Sequence, residues 1–444
     1  LVSYKLDGSL ALVMVAVQID PRFRSRIPER VRLLVLGGGC HGVGVLHDMA
    51  SRGWQDIHLV ERSTIGAGTS SRSTKLIHGG LRYLQHVRDF SLVAEALRER
   101  QTMIKVAPDL VKPIELLFPV LKSGGVSRPV IKIGLSLYDL LAGRANVGRH
   151  RSIPMAEASG LAPMLNLNLV KHIYQFWDCQ MDDLALANRI ATSAVHMGAG
   201  ITEGCSAVKI RPANDGFEVD IVQADGSRRT ISALYVFNAL GPWSNDLLAQ
   251  SQIRPAWNGI NNRGAHLVFP DLGLKAGLFL QSPSDGRIFF VLPWRGQTLV
   301  GTTEDRHEKS QDDLRVTSTE VAYLLSRCNQ WLSRPLLEKD IVTTFCGLRW
   351  LAADGKSSLT ATSRAWTIDE QRSKRGLLLT LYGGKWSTYR ALAETIGNRI
   401  TTHFGEYKPT QTKDPAAWHK EPGFEFDPVS RFVKQVPAQL GADF

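Results

Sequence analysis

A glycine-rich turn leaves this chain few folds to choose from. The string Gly37-Gly38-Gly39-Cys40-His41-Gly42 follows the apolar run Val31–Leu36, whose continuous hydrophobicity predicts a strand buried on both faces. Gly37 permits a tight turn off that strand. Gly39 lets backbone approach a pyrophosphate, and Gly42 lets the following helix pack closely on the strand. The helix-compatible stretch runs to about Arg52 and closes at Gly53. Ile57–Val60 is a second buried strand ending at Glu61, roughly 20 residues past the turn, where a carboxylate accepts hydrogen bonds from a ribose 2′-hydroxyl. These parts make a βαβ unit with its helix N-terminus aimed at phosphates. Glu61 repels a 2′-phosphate and so argues against NADP, but it does not separate NAD from FAD.

A second close backbone approach bears on that choice. Arg88–Lys105 shows helical spacing of Phe90, Val93, Leu97 and Ile104. Ser206–Ile210, Phe217–Ile221 and Thr230–Asn238 read as a β-meander with Asp215-Gly216 and Asp225-Gly226 at its turns. Its last strand runs into Asn238-Ala239-Leu240-Gly241-Pro242-Trp243, where Ala239 and Gly241 again let backbone pass near a dinucleotide. Simple NAD dehydrogenases have no need of this second approach; flavoproteins of glutathione-reductase-like fold do. Ala265–Phe269, Arg287–Leu292 and Thr298–Gly301 form a further strand-rich block, and Trp386–His403 resumes a helical pattern.

Composition narrows the partners. With 444 residues, 43% of them hydrophobic, two domains are the natural expectation. A net charge of +11 favours anions, either phosphorylated metabolites or acidic lipid. Zinc-finger spacing, an RNP-like strand and long basic blocks are all lacking, so no nucleic acid partner is expected. Five scattered cysteines without a CxxC pair fit a reducing compartment, and no metal is expected. The apolar run Leu10–Val17 is too short to span a bilayer as a helix, and the first thirty residues read as a leader.

Three strings are more specific than the glycine turn. Residues 70–84 read SSRSTKLIHGGLRYL, residues 381–390 read LYGGKWSTYR, and NALGPW lies between them. Together with the βαβ unit they resemble the FAD-dependent, aerobic-type glycerol-3-phosphate dehydrogenases of the D-amino-acid-oxidase-like flavoprotein superfamily, over about residues 31–403. The resemblance implies an α/β fold: a glutathione-reductase-like, FAD-binding Rossmann domain interrupted by a mixed β-sheet substrate domain. The expected division is a leader at 1–30, a discontinuous FAD-binding domain at 31–115, 165–255 and 340–403, a substrate domain at 116–164 and 256–339, and a tail or cap remnant at 404–444.

The implied site follows residue by residue. Gly37, Gly39, Gly42 and Glu61 would hold the ADP half of FAD, with Ala239 and Gly241 at the second approach. Ser70, Ser71, Thr74 and Lys75 would line the pyrophosphate and ribityl region. His78, Gly79 and Gly80 would pass close to the isoalloxazine, and Gly383, Gly384, Lys385 and Ser387 would bring a helix N-terminus to its pyrimidine edge. Arg82, Arg349, Arg364 and Lys385 supply the cationic, fork-shaped partners a phosphate needs. Tyr83 and His266 are candidates to bond substrate hydroxyls; His78, His266 or a cation of depressed pKa is the candidate base, with the choice open.

The implied activity is oxidation of sn-glycerol 3-phosphate to dihydroxyacetone phosphate by hydride transfer to FAD, with ubiquinone or a similar acceptor taking the electrons. The implied setting is cytoplasmic, peripheral on the inner face of the cytoplasmic membrane, with homodimers. Departures from the family pattern are a missing or truncated C-terminal helical cap of ~100 residues, and the bulky Trp350 and Trp386, either of which could change substrate size. Trp177 and Asp178, in QFWDCQMDD, read mainly as architecture. Two alternatives stay open: an oxidase of the same superfamily using O2 on another hydroxy or amine substrate, and a non-catalytic flavin-binding module.

Overall fold

The computed structural model describes residues 2–6, 9–13, 21–23, 25–85, 89–123, 125–352 and 366–420. The strand Arg30–Leu36 is buried over its last four residues, the apolar run Leu33–Leu36, and lies at the centre of an eight-stranded sheet, as that run predicts. It pairs in parallel with Ile57–Val60 on one side and with the end of Arg228–Asn238 on the other. Gly200–Thr202 extends the sheet beyond Ile57–Val60. The meander Cys205–Ala213, Gly216–Gln223 and Arg228–Asn238 forms the other wing. Leu377–Tyr382, buried throughout, runs parallel to the last residues of Arg228–Asn238, and Thr367–Arg372 pairs with it.

The helix Cys40–Ser51 packs on this sheet and is covered in turn by Asp183–His196 and Tyr389–Phe404. Glycine makes that stacking close: a Cβ on Gly44 would stand 2.9 Å from the Tyr389 ring. The segment after Tyr389–Phe404 also packs here. The Trp418 ring meets the His47 ring edge-on at 5.1 Å, and a His47 ring nitrogen bonds the Ala417 carbonyl at 2.7 Å.

A second, ten-stranded sheet is built mainly from antiparallel pairs. Successive side chains of its strands point to opposite faces, and both faces are covered. Leu267, Phe269, Leu278, Leu280 and Val291 face the helix Ser318–Asn329 through Leu324 and Cys328. Val268, Phe279 and Leu292 face the helix Arg128–Ala142 through Ile131, Leu135 and Tyr138.

The sheet boundaries differ from the expected division. Val170–Met181 and Thr343–Ala352, expected with the FAD-binding part, lie in the second sheet, and the expected boundary at 116 cuts through the strand Val111–Leu121. Register is the reason. Val111–Leu121 pairs with Val170–Met181 along its whole length, from Val111↔Met181 to Leu121↔Val170, and Thr343–Ala352 pairs with Gly259–Pro270 from Gly259↔Ala352 to Val268↔Thr343. Such ladders cannot be divided between sheets without stranding backbone hydrogen bonds. Among the described residues, no helix is long and apolar enough to cross a membrane.

Candidate active site

The glycine turn has the geometry its spacing predicts. Gly37 has φ +101°, and a Cβ there would lie 2.9 Å from the Ala239 carbonyl oxygen. A Cβ on Gly42 would lie only 1.9 Å from the Gly37 carbonyl oxygen, so only glycine fits. The Glu61 carboxylate accepts hydrogen bonds from Gly38 N at 2.6 Å and Ser63 N at 2.8 Å. Burial raises its pKa against the lowering effect of those bonds. Ser70 Oγ accepts from Cys40 N at 2.8 Å, which brings the segment after Glu61 onto the helix N-terminus.

The second and third approaches arrive at the same place. Ala239 N bonds the Leu36 carbonyl at 2.9 Å, and Gly241 turns the chain with φ +57°. Gly383 and Gly384 have φ +78° and +95°, and a Cβ on Gly384 would stand 2.5 Å from His41 Nε2. That nitrogen is buried without a hydrogen-bond partner among the described residues. Trp386 donates from Nε1 to the Ser70 carbonyl at 2.8 Å, with Ser387 buried beside it. The ring thus braces the 70–71 turn. Trp350 packs against Tyr382 at 4.7 Å and fills the space above Gly259. Both bulky residues are taken up by packing.

The segment after Ser71 is held from below. Lys75, at φ +59° and only 1% exposed, donates to Asp183 at 2.8 Å and to the Ser71 carbonyl at 2.5 Å. Its ammonium is therefore committed to an internal ion pair. Thr74 Oγ1 lies 3.0 Å from His266 Nε2. Beyond it, Asp178 Oδ1 accepts from Arg100 at 2.7 Å, from the Tyr138 hydroxyl at 2.7 Å and from Gly79 N at 3.3 Å. Asp178, read from sequence as architecture, anchors the His78–Gly80 turn mainly through the Tyr138 hydroxyl, to which Gly79 N donates at 2.7 Å. Gly79 is required there, because a Cβ would fall 2.5 Å from both Leu97 and the Tyr138 hydroxyl. The His78 ring faces Phe290 at 6.4 Å.

The cations predicted for phosphate converge on a residue that sequence reasoning missed. Arg82 Nη1 lies 3.7 Å and Arg349 Nη1 3.6 Å from the same oxygen, Oε1 of Glu304. Arg349 Nη2 also donates to Thr302 Oγ1 at 3.1 Å. Lys385 Nζ sits 4.0 Å from the centre of the Tyr83 ring, and Arg82 lies 5.6 Å from the same ring. Arg82, Tyr83, Arg349 and Lys385 are thereby brought together; Arg364 lies outside the described residues.

His266 belongs to the adjoining wall. It is 2% exposed, stacks on Phe345 at 4.8 Å and 13°, and has a buried Nδ1 without a partner among the described residues. Burial, with Arg349 and Lys75 nearby, holds its pKa well below 6.5, so the ring is neutral. Two hydrogen bonds tie this wall to the 69–72 segment: Thr69 Oγ1 to the Leu348 carbonyl at 2.7 Å, and Arg72 to the Cys346 carbonyl at 3.2 Å. Two glycines carried a signal for it. A Cβ on Gly264 would meet Arg349 Nη2 at 2.0 Å, and one on Gly301 would meet the His266 ring at 2.2 Å.

Residues 32–390 match the model of a family described as FAD dependent oxidoreductase. The chain belongs to that family. It is an FAD-dependent oxidoreductase, and the residues present suit the cofactor: a glycine cradle that any Cβ would fill, and the buried unpartnered His41 nitrogen beside it. The chain is 33% identical to the D-erythritol 1-phosphate dehydrogenase of Brucella abortus (strain 2308), over 87% of this chain and 77% of that one. It is 32% identical to the aerobic glycerol-3-phosphate dehydrogenase of Escherichia coli (strain K12), over 87% and 76%. The glycerol-3-phosphate dehydrogenase of Bacillus halodurans, solved in complex with FAD, superposes with a TM-score of 0.69 at 25% identity, covering 87% of this chain and 67% of that one.

Proposed function

We propose that this oxidoreductase converts sn-glycerol 3-phosphate to dihydroxyacetone phosphate. The observation that carries the reading is the meeting of Arg82 and Arg349, from segments far apart in the chain, at one oxygen of Glu304, with Lys385 across the Tyr83 ring. Two guanidinium forks and an ammonium in one cleft suit a phosphate dianion. The similarity to glycerol-3-phosphate dehydrogenases supports the polyol.

In this reading Gly37, Gly39, Gly42 and Glu61 hold the ADP half of FAD, with Ala239 and Gly241 alongside. Ser70, Ser71 and Thr74 follow the pyrophosphate and ribityl chain, and Lys75 shapes their turn through Asp183. His78, Gly79 and Gly80 pass the ring system, and Gly383, Gly384, Lys385 and Ser387 border its pyrimidine edge. Bound FAD supplies the hydride acceptor. Arg82 and Arg349 fix the phosphate so that C2 of the substrate faces that acceptor. C2 gives up its hydrogen with the bonding pair, and the C2 hydroxyl gives up its proton.

His266 is the base this reading favours. It is neutral and carries an unpartnered buried nitrogen. Arg349 is one cause of its depressed pKa, so a phosphate dianion beside Arg349 raises the basicity of the ring as substrate binds. We assign the electrons to a quinone, at a membrane the protein meets peripherally. Supporting this is the outer face of the helix Arg128–Ala142, where Val130, Ile133 and Leu140 are 58%, 67% and 74% exposed. Arg128, Lys132 and Arg144 are exposed around them, a pattern that suits an acidic lipid surface.

The relative that acts on D-erythritol 1-phosphate favours a second reading, a longer polyol phosphate in the same cleft. One experiment tests both. Anaerobic addition of glycerol 3-phosphate to the flavin-loaded protein should bleach the flavin band, and Arg349→Ala should keep the flavin but lose the bleaching. Bleaching by erythritol 1-phosphate alone would move the assignment to the longer substrate. Bleaching by neither would overturn the proposal.

A further inference from the structure

The Glu304 carboxylate is an odd neighbour for a phosphate site, since it repels the group that its arginines would bind. Three observations explain its presence. The first is distance. Ion pairs that hold this fold together are closed, at 2.8 Å for Lys75–Asp183 and 2.7 Å for Arg100–Asp178. Glu304 stands 3.6 Å from Arg349 and 3.7 Å from Arg82, beyond the span of a charge-assisted hydrogen bond.

The second is accessibility. Glu304 is buried at 6% exposure, whereas the Arg82 and Arg349 side chains are 22% and 28% exposed, so the forks are open to an incoming anion and the carboxylate is less so. The third is that the turn carrying Glu304 has its own anchors. Thr303 Oγ1 accepts from Ala265 N at 2.8 Å and donates to Glu320 at 2.9 Å, Arg263 pairs with Glu320 at 3.1 Å, and Arg287 donates to the Glu304 carbonyl at 3.2 Å. These bonds hold the backbone there through groups other than the carboxylate.

We propose that Glu304 is a positioning and selectivity residue, a resident counter-ion that keeps the Arg82 and Arg349 forks facing one point. Resting on the polyol-phosphate reading above, the inference gives the site its selectivity. A phosphate dianion with several acceptor oxygens outcompetes the single carboxylate oxygen, while weaker anions do not. The carboxylate also limits how firmly the phosphorylated product is held, which speeds its release.

The test uses the flavin-loaded protein with Glu304→Gln and Glu304→Asp. Binding of inorganic phosphate and of sulfate is read from the perturbation of the flavin spectrum, and turnover is read separately. With Glu304→Gln both anions should bind about tenfold more tightly, the order expected for removing one nearby charge in a solvent-screened cleft. The KM for substrate should fall with kcat, because product leaves more slowly, and Glu304→Asp should restore much of both. Flavin content and melting temperature should stay unchanged. Unaltered anion binding would overturn the proposal, as would a rise in KM at constant kcat. Lost activity that tracked lost flavin or a lowered melting temperature would show a structural role instead and equally overturn it. Anion binding is measured without turnover, so failure here is distinguishable from failure of the polyol-phosphate assignment, in which the wild-type flavin would not bleach.

Discussion

Asp178→Ala tests whether the His78–Gly80 turn is held by a buried charge network. Asp178 is 3% exposed, and the Arg100 side chain paired with it is fully buried. The carboxylate accepts from Arg100 and Tyr138 at 2.7 Å each, and from Gly79 N at 3.3 Å. Removing it leaves Arg100 with only the Trp177 and Ala145 carbonyls, both at 3.2 Å, and leaves a buried positive charge uncompensated. Breaking a buried pair from one side costs about 3–5 kcal/mol, and the long Gly79 bond adds little. We expect the loss in urea denaturation to fall near the middle of that range. Adding Arg100→Met removes the stranded charge, so the double variant should be less destabilised than Asp178→Ala alone, with a coupling of about 2 kcal/mol or more. Flavin should still bind to both, because the glycine cradle is untouched, but bleaching by substrate should slow as the Tyr138 hydroxyl, the nearer acceptor of Gly79 N at 2.7 Å, loses its own acceptor. A cost below about 1 kcal/mol for Asp178→Ala, or strict additivity in the cycle, would refute the idea that this network supports the His78–Gly80 turn.

Gly42→Ala should abolish flavin uptake, because the new methyl would overlap the Gly37 carbonyl at 1.9 Å; a yellow, folded variant would contradict the cradle geometry. Stability should fall as pH drops from 6.5 toward 4. His47 and His58 are held by burial at about 4, so the unfolded chain takes up protons that the native state refuses. Each contributes about 1.4 kcal/mol per pH unit within that window, with stability rising with pH. His47→Gln should make the slope of urea stability against pH shallower, and an unchanged slope would mean that His47 titrates normally when folded. The double variant Val130→Glu, Ile133→Glu should lose co-sedimentation with vesicles containing acidic lipid while keeping its flavin; undiminished binding would exclude the helix Arg128–Ala142 as the lipid face.

What could be read from the sequence was whatever a residue's own backbone dictates. Gly37 is required by its own positive φ and Gly42 by a clash with the Gly37 carbonyl five residues away, and Glu61 follows from the length of one βαβ unit, so spacing alone located them. Arg82, Tyr83, Arg349 and Lys385 were legible as members of strings, without any account of why those strings should meet. That account lies in register. Gly259–Pro270 pairs with Thr343–Ala352 on one side and Gln297–Gly301 on the other, which sets Asn262 opposite Arg349 and His266 opposite both Phe345 and Gly301. The same pairing delivers the next residues, Thr302 to Glu304, to the Arg349 fork. A lone glutamate in a turn gives no local sign of this, and Lys75 equally gives no sign that its charge is spent on Asp183.

The order of the sheets explains where the specific strings occur. The 70–84 string leaves the dinucleotide-binding sheet, contributes Leu76–Ile77 to the second sheet, and ends at Arg82 and Tyr83. Thr343–Ala352 belongs to the second sheet but is hydrogen-bonded to the 69–72 segment through Leu348 and Cys346. The 381–390 string begins as the buried strand Leu377–Tyr382 ends, and turns through Gly383 and Gly384 toward His41. Each of the three passes the seam between the sheets, where one side can hold a dinucleotide and the other can present cations. A substitution far from this seam disturbs packing alone. One at the seam shifts the cations relative to the cofactor, and a displacement of about 1 Å there costs on the order of a hundredfold in rate. The seam residues are therefore where stability and activity should separate: the hydrogen bond from Thr69 to Leu348 contributes little to folding but fixes the register of Arg349 against the flavin turn.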